Sequence, residues 1–105
     1  MKAYVIVQET VTDEQVFAEY RSRVAETLAP YQARFLVRVG RLSIEEGVWP
    51  HPRLVVLEFP SREAASGWYR SAAYQAVLPL RRASCKGNLI IVDGMEELTA
   101  DGAAP

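Results

Sequence analysis

The residues best suited to chemistry lie in or near the segment VVLEFPSREAASGWYRSAAYQAV, residues 55–77. Glu58 interrupts an apolar run, and Trp68, Tyr69 and Tyr74 follow it at helical spacing. A carboxylate can move a proton, and aromatic rings can line a cavity for an organic molecule. The same residues can also form a structural ion pair and a hydrophobic core, so the elements that position them decide between the two interpretations.

A polar pair is predicted across two strands. A hairpin that turns near residue 48 would place Arg38 opposite Glu58, and Tyr4 on the neighbouring antiparallel strand could reach the same face. This group could anchor a carboxylate or enol in an apolar pocket, with Tyr4 or Glu58 moving a proton. The alternative is a structural ion pair at the sheet edge or a dimer interface. The candidate ligand-binding residues are Tyr4, Tyr20, Arg38, Glu58, Trp68 and Tyr74, and no catalytic residue is assigned.

Composition limits the class of protein. A chain of 105 residues is expected to form one domain, which we place at residues 1–95, followed by a small, polar tail at residues 96–105. Twelve basic and thirteen acidic residues give a formal charge of -1, which predicts binding to neither nucleic acid nor a membrane surface.

The metal-ligand and cofactor motifs are weak. Cys85 is the single cysteine, which excludes an intramolecular disulfide, and His51 stands between two prolines without a neighbouring ligand pattern. There is no glycine-rich phosphate loop. We therefore predict no metal and no cofactor. With no apolar run long enough for a signal peptide or a membrane span, we expect a cytoplasmic protein.

The elements alternate in a simple order. Thr12 and Gln15 form a capping-box pattern before an amphipathic helix that includes Phe17 and Tyr20. Ser61 and Ser71 can cap a second helix and its continuation, and Pro79 is expected to kink or split this continuation. The predicted strands are Ala3–Glu9, Arg34–Gly40 with an extended piece at Leu42–Glu45, Arg53–Phe59 and Asn88–Val92.

This order predicts the α+β ferredoxin-like βαββαβ arrangement, a four-stranded antiparallel sheet with two helices on one face. A swapped strand order is the alternative. The strands are apolar at consecutive positions, for example in YVIV at residues 4–7 and LIIV at residues 89–92. Because helices can cover only one face, the other face should pack against an identical subunit, and we predict a homodimer.

The segments AYVIV, RFLVRVG, RLVVLEFPS, WYRSAAYQ and NLIIVDG resemble the family known as domain of unknown function 1330. This resemblance implies the dimeric α/β-barrel superfamily, in which two ferredoxin-like subunits join their sheets. The family tends to carry paired glycines before and after the second strand, whereas this chain has Gln32–Ala33 and Val39–Gly40.

Three functions follow as hypotheses. The first is a homodimer that binds a small organic ligand between helices and sheet. The second, suggested by the superfamily, is a cofactor-independent monooxygenase or isomerase acting on a small aromatic or polyketide-like substrate. The third is a structural or partner-binding module whose cavity is filled by its own side chains. The sequence leaves open whether the protein is an enzyme.

Overall fold

A computed structural model describes residues 1–95. The predicted tail, residues 96–105, lies outside the described residues. The elements are β1 (Ala3–Val11), α1 (Glu14–Leu28), a 3-10 turn (Ala29–Tyr31), β2 (Arg34–Arg38), β3 (Arg53–Phe59), α2 (Arg62–Arg70), α3 (Ala72–Ser84) and β4 (Cys85–Asp93). The strands form one antiparallel sheet in the order β2-β3-β1-β4, which confirms the ferredoxin-like α+β fold and excludes the swapped strand order.

The helices pack on one face of this sheet. Side chains alternate between the two faces of a strand, and the odd-numbered residues of β1 from Ala3 to Glu9 are buried while their even-numbered neighbours are half-buried. The largest fully buried side chains belong to this core: Trp68, Tyr74, Phe17, Phe59, Leu78 and Val5. No helix within residues 1–95 combines the length and apolar character needed to cross a bilayer.

The helix starts follow local capping chemistry. Ser61 accepts a hydrogen bond from the Ala64 amide at 3.0 Å, and Ser71 accepts one from the Tyr74 amide at 3.1 Å, so both predicted caps are confirmed. The first helix is instead capped by Asp13, whose carboxylate accepts from the Val16 amide at 3.1 Å. The prediction of Thr12 as the cap is wrong, because the helix begins one residue later than the capping-box pattern requires, at Glu14, and the cap position falls on Asp13.

The second predicted helix divides into α2 and α3. The division occurs at Ser71, which has extended backbone angles, while Pro79 lies inside α3. The last strand, β4, is longer than predicted. Just after it, the Gly94 amide donates to the Lys2 carbonyl at 2.7 Å. Ordered pairing therefore continues past Asp93, where the polar C-terminal sequence begins.

The hairpin register differs from the prediction. Arg38 pairs with Val55 and Arg34 pairs with Glu58, so the predicted Arg38–Glu58 pair is wrong. A bulge between Phe35 and Val37 shifts the register, and residues 39–52 form a connection without strand structure, including the predicted extended piece at residues 42–45. Val39 has φ 55°, a left-handed conformation that ends β2.

The second sheet face is also apolar. One row of directly paired residues crosses all four strands, namely Val37, Val56, Ile6 and Ile90. Ile90 is 53% exposed and Val92 is 39% exposed. The two-sided apolar character predicted for the strands is therefore present, and the helices leave this face uncovered.

Candidate ligand-binding site

A cavity of about 90 Å³ lies between α1 and the helix-facing side of the sheet. One water molecule needs roughly 10–15 Å³ by a comparable measure, so the space is larger than a packing defect. Its walls are mostly apolar, and the wall residues include Val7, Phe17, Val24, Leu28, Phe35, Val55, Leu57, Trp68 and Leu89. Tyr20 and Trp68 are buried and form part of the wall, and their side chains do not fill the space.

One part of the cavity wall is charged. The Glu9 residue is only 3% exposed. Its Oε1 accepts from Nε of Arg53 at 2.9 Å, and its Oε2 accepts from Nε of Arg81 at 3.2 Å. Register brings the first pair together, because Glu9 and Arg53 are direct partners across β1 and β3, while the last turns of α3 supply Arg81. We refer to Glu9, Arg53 and Arg81 as the charged cluster.

The charged cluster contains two cations and one anion. The Arg53 guanidinium carbon also lies 4.9 Å from the centre of the Phe17 ring. Burial is the largest single influence on the pKa of Arg81 and lowers it, but the Glu9 carboxylate together with Tyr74, Cys85 and Tyr20 acts in the opposite direction, and the pKa is raised. Arg81 therefore stays a cation, and its buried Nη2 has no hydrogen-bond partner within residues 1–95.

Two phenols form a second polar feature beside the cavity. The hydroxyl oxygens of Tyr20 and Tyr74 lie 3.0 Å apart in a buried hydrogen bond. Burial raises the pKa of Tyr20, and it also raises the pKa of Tyr74. Both are neutral phenols at physiological pH. Trp68 stacks close to Tyr74, with ring centroids 4.2 Å apart, and donates from Nε1 to Thr27 Oγ1 at 2.9 Å.

Cys85 lies against the charged cluster. Its Sγ is 3.5 Å from Glu9 Oε2 and 3.2 Å from the Arg81 carbonyl oxygen. Burial, followed by the nearby Glu9 carboxylate, raises the pKa of the Cys85 thiol to about 11. Since the thiolate is the nucleophile, Cys85 is unreactive at neutral pH.

Two further arginines line the cavity from exposed positions. The Arg38 guanidinium lies 3.9 Å above the centre of the Phe35 ring, and the Arg21 guanidinium lies 5.9 Å from the centre of the Phe17 ring. These contacts keep both cations beside the apolar wall. Four arginines and a single acid, Glu9, therefore line this cavity.

The predicted site residues separate into two groups. Tyr20, Arg38 and Trp68 line the cavity, and Tyr74 contacts it indirectly through its hydrogen bond to Tyr20. Tyr4 and Glu58 share one face of the sheet, as predicted, and pair directly with each other, but this face is the one opposite the cavity.

Glu58 has a different cationic partner from the one predicted. Its carboxylate lies 3.2 Å from Nζ of Lys2, and Arg34 occupies the paired position on β2. The predicted group of Tyr4, Arg38 and Glu58 is thus divided between two faces. The Lys2–Glu58 contact is a structural ion pair of the kind considered as the alternative.

The charged cluster was missed from the sequence. The available signal was strand parity, because Glu9 shares the helix-facing side with Val5 and Val7. Arg53 is the first residue of β3, and Arg81 lies 72 residues from Glu9 along the chain. Such contacts cannot be predicted until the strand register and the helix docking are known.

The other candidate ligands stay apart. Within residues 1–95 no group of three His, Cys, Asp or Glu side chains could hold a metal ion. His51 Nδ1 instead lies 3.0 Å from Thr10 Oγ1.

The fold has clear relatives among solved structures. A protein of unknown function from Rhodopseudomonas palustris matches with a TM-score of 0.75 at 12% identity, over 91% of this chain and 84% of that chain. SnoaB, a cofactor-independent oxygenase from Streptomyces nogalater, matches with a TM-score of 0.62 at 12% identity, over 92% and 96%. HapK from Hahella chejuensis matches with a TM-score of 0.60 at 14% identity, over 95% and 98%.

These likenesses define the fold class, which is the ferredoxin-like α+β fold. At such low identity they show the fold alone. The chain belongs to the family described as domain of unknown function (DUF1330), whose model matches residues 2–95. A search of curated protein sequences found no match.

Proposed function

We propose that this protein is a cytoplasmic homodimer that binds a small organic molecule in the cavity between α1 and the sheet. The observation that supports binding most directly is the cavity itself, which combines apolar walls with four arginines from four elements. A purely structural module would leave no such space, because its own side chains would fill it. The free thiol of Cys85 supports a reducing compartment.

The uncovered sheet face supports the homodimer. Ile6, Val56 and Ile90 form part of a continuous apolar row, and exposed rows of this kind normally mark an interface. A two-fold axis would pack the face against its own copy, as the dimeric α/β-barrel resemblance suggests. Light scattering of Ile90→Glu tests this proposal. We expect wild type at twice the monomer mass and a shift of the variant toward monomer, and a monomeric wild type would contradict the dimer.

An enzyme of the cofactor-independent oxygenase or isomerase kind is the second candidate, and the fold likeness to SnoaB favours it. The chemistry of the cavity favours binding instead. Tyr20 and Tyr74 have raised pKa values, the Cys85 pKa is raised to about 11, and Glu9 is held by two arginines. None of these groups is free to act as a base near neutral pH.

A thermal-shift screen tests the binding proposal. Small aromatic acids, and their neutral amides, are compared on wild type, Arg38→Ala and Arg34→Ala. The two arginines lie on the same strand and are both exposed, but only Arg38 lines the cavity. A ligand at ten times its Kd stabilises by about 1.4 kcal/mol, which for a chain of this size raises Tm by roughly 5–10 °C.

We expect the Tm increase to shrink in Arg38→Ala and to persist in Arg34→Ala. An increase that survives Arg38→Ala unchanged would remove Arg38 from the site. If none of the aromatic acids and none of their neutral amides stabilises wild type, the binding proposal is wrong.

A further inference from the structure

Resting on the proposed function, we propose that the ligand is an organic monoanion, a carboxylate or enolate on an apolar body, and that its charged group binds Arg81 and Arg53. The proposal concerns ligand class and position. The residues that the sequence suggested for the anchor, Arg38 and Glu58, are not the ones assigned here.

The charge balance of the cluster supports an anionic ligand. Arg53 and Arg81 contribute two positive charges, and Glu9 contributes one negative charge. Tyr20, Tyr74 and Cys85 lie next to these groups as neutral acids, because burial raises the pKa of each. One positive charge is therefore uncompensated beside an apolar cavity, where an unpaired charge is unfavourable.

The hydrogen-bond geometry leaves donors for a second acid. Arg53 and Arg81 each bond Glu9 through Nε, on different carboxylate oxygens. Nη2 of Arg81 is buried and has no partner in the described part of the chain. A guanidinium has five N–H donors and suits a carboxylate geometrically, so a bound acid would supply both the missing acceptor and the missing charge.

The cavity wall supports an apolar body on the same ligand. Phe17 and Trp68 line the space together with aliphatic side chains from the sheet. An inorganic anion would satisfy the arginines but would leave this surface without contacts. A planar conjugated acid satisfies both parts of the wall.

The test uses calorimetric titration of the full-length protein with benzoate, its neutral isostere benzamide, and acetate. We expect benzoate to bind at least tenfold more tightly than either, with an affinity that falls as salt rises. Arg81→Met should reduce benzoate binding at least tenfold. Arg82→Met is the matched control, because this exposed neighbour on α3 does not line the cavity, and it should bind as wild type does.

The outcomes separate this proposal from the one it rests on. Equal affinity for benzoate and benzamide, or unchanged benzoate affinity in Arg81→Met, overturns the anionic site and leaves a cavity for neutral molecules. If acetate binds as tightly as benzoate, the proposal that the ligand carries an apolar body is overturned. Binding of none of the three overturns this proposal, and a failed screen of the larger panel then overturns ligand binding as well. Should Arg81→Met not fold, the wild-type comparison of benzoate with benzamide still decides the charge.

Discussion

Replacing Glu9 by glutamine should strongly destabilise the protein. The substitution keeps the shape of the side chain but removes the charge that faces Arg53 and Arg81. Hydrogen bonds to charged groups contribute about 1.5–3 kcal/mol each, and removing one partner of a buried ion pair costs about 3–5 kcal/mol. Glu9 is only 3% exposed, so the contacts that the substitution weakens are buried ones. We expect the free energy of unfolding to fall by about 3–5 kcal/mol.

The chain offers a matched control in Glu58, another strand glutamate with an ion pair. The side chain of its partner Lys2 is 60% exposed, against 13% for that of Glu58, so the contact is open to solvent on the lysine side. Glu58→Gln should cost less than about 1 kcal/mol. Both variants are followed by urea unfolding through the buried Trp68, at one fixed protein concentration because a dimer's stability depends on it.

A double variant keeps the experiment interpretable if Glu9→Gln folds poorly. Adding Arg81→Met to Glu9→Gln removes one uncompensated cation and should recover part of the lost stability. If Glu9→Gln falls within about 1 kcal/mol of Glu58→Gln, the charged cluster does not hold the fold together and the reasoning is refuted.

Three other predictions concern polar groups and backbone strain. Tyr20→Phe and Tyr74→Phe should each lower the free energy of unfolding, measured in urea, by about 1–3 kcal/mol, because each leaves a buried hydroxyl unpaired. The double variant should lower it by less than the sum of the two, and strict additivity would argue against the hydrogen-bonded pair. Stability should fall as pH rises from about 9 to about 11, because the Cys85 thiol loses its proton at lower pH in the unfolded chain than in the folded protein. Urea titrations at several pH values should show a smaller pH dependence for Cys85→Ala, and an identical dependence would exclude Cys85 as its source. Val39→Gly should raise the free energy of unfolding by about 1 kcal/mol, because φ 55° strains a β-branched residue. The Val39 side chain is 49% exposed, so its removal loses little packing. A lower urea midpoint for the variant would contradict this prediction.

Much of the fold follows from local sequence. Apolar runs identified all four strands, and serines before apolar helical patterns marked Ser61 and Ser71 as caps, because capping depends on side chains three residues from the amide they bond. The family resemblance adds a detail that the backbone explains. Gln32 and Val39, two of the positions where the resemblance leads us to expect glycine, both have left-handed φ values, of 57° and 55°.

The candidate site depended on information that the sequence does not carry locally. The connection between β2 and β3 sets a register that pairs Arg34, and not Arg38, with Glu58. The bulge in β2 then shifts this register by one residue, which turns Arg38 to the other face of the sheet, opposite Val55. Glu9 meets Arg81 only because α3 docks beside the end of β1. The sequence by itself determined the elements and the two apolar sheet faces, since these depend on residues close in the chain. Only the tertiary structure decided which charges share the cavity, since strand register and helix docking set contacts between distant residues.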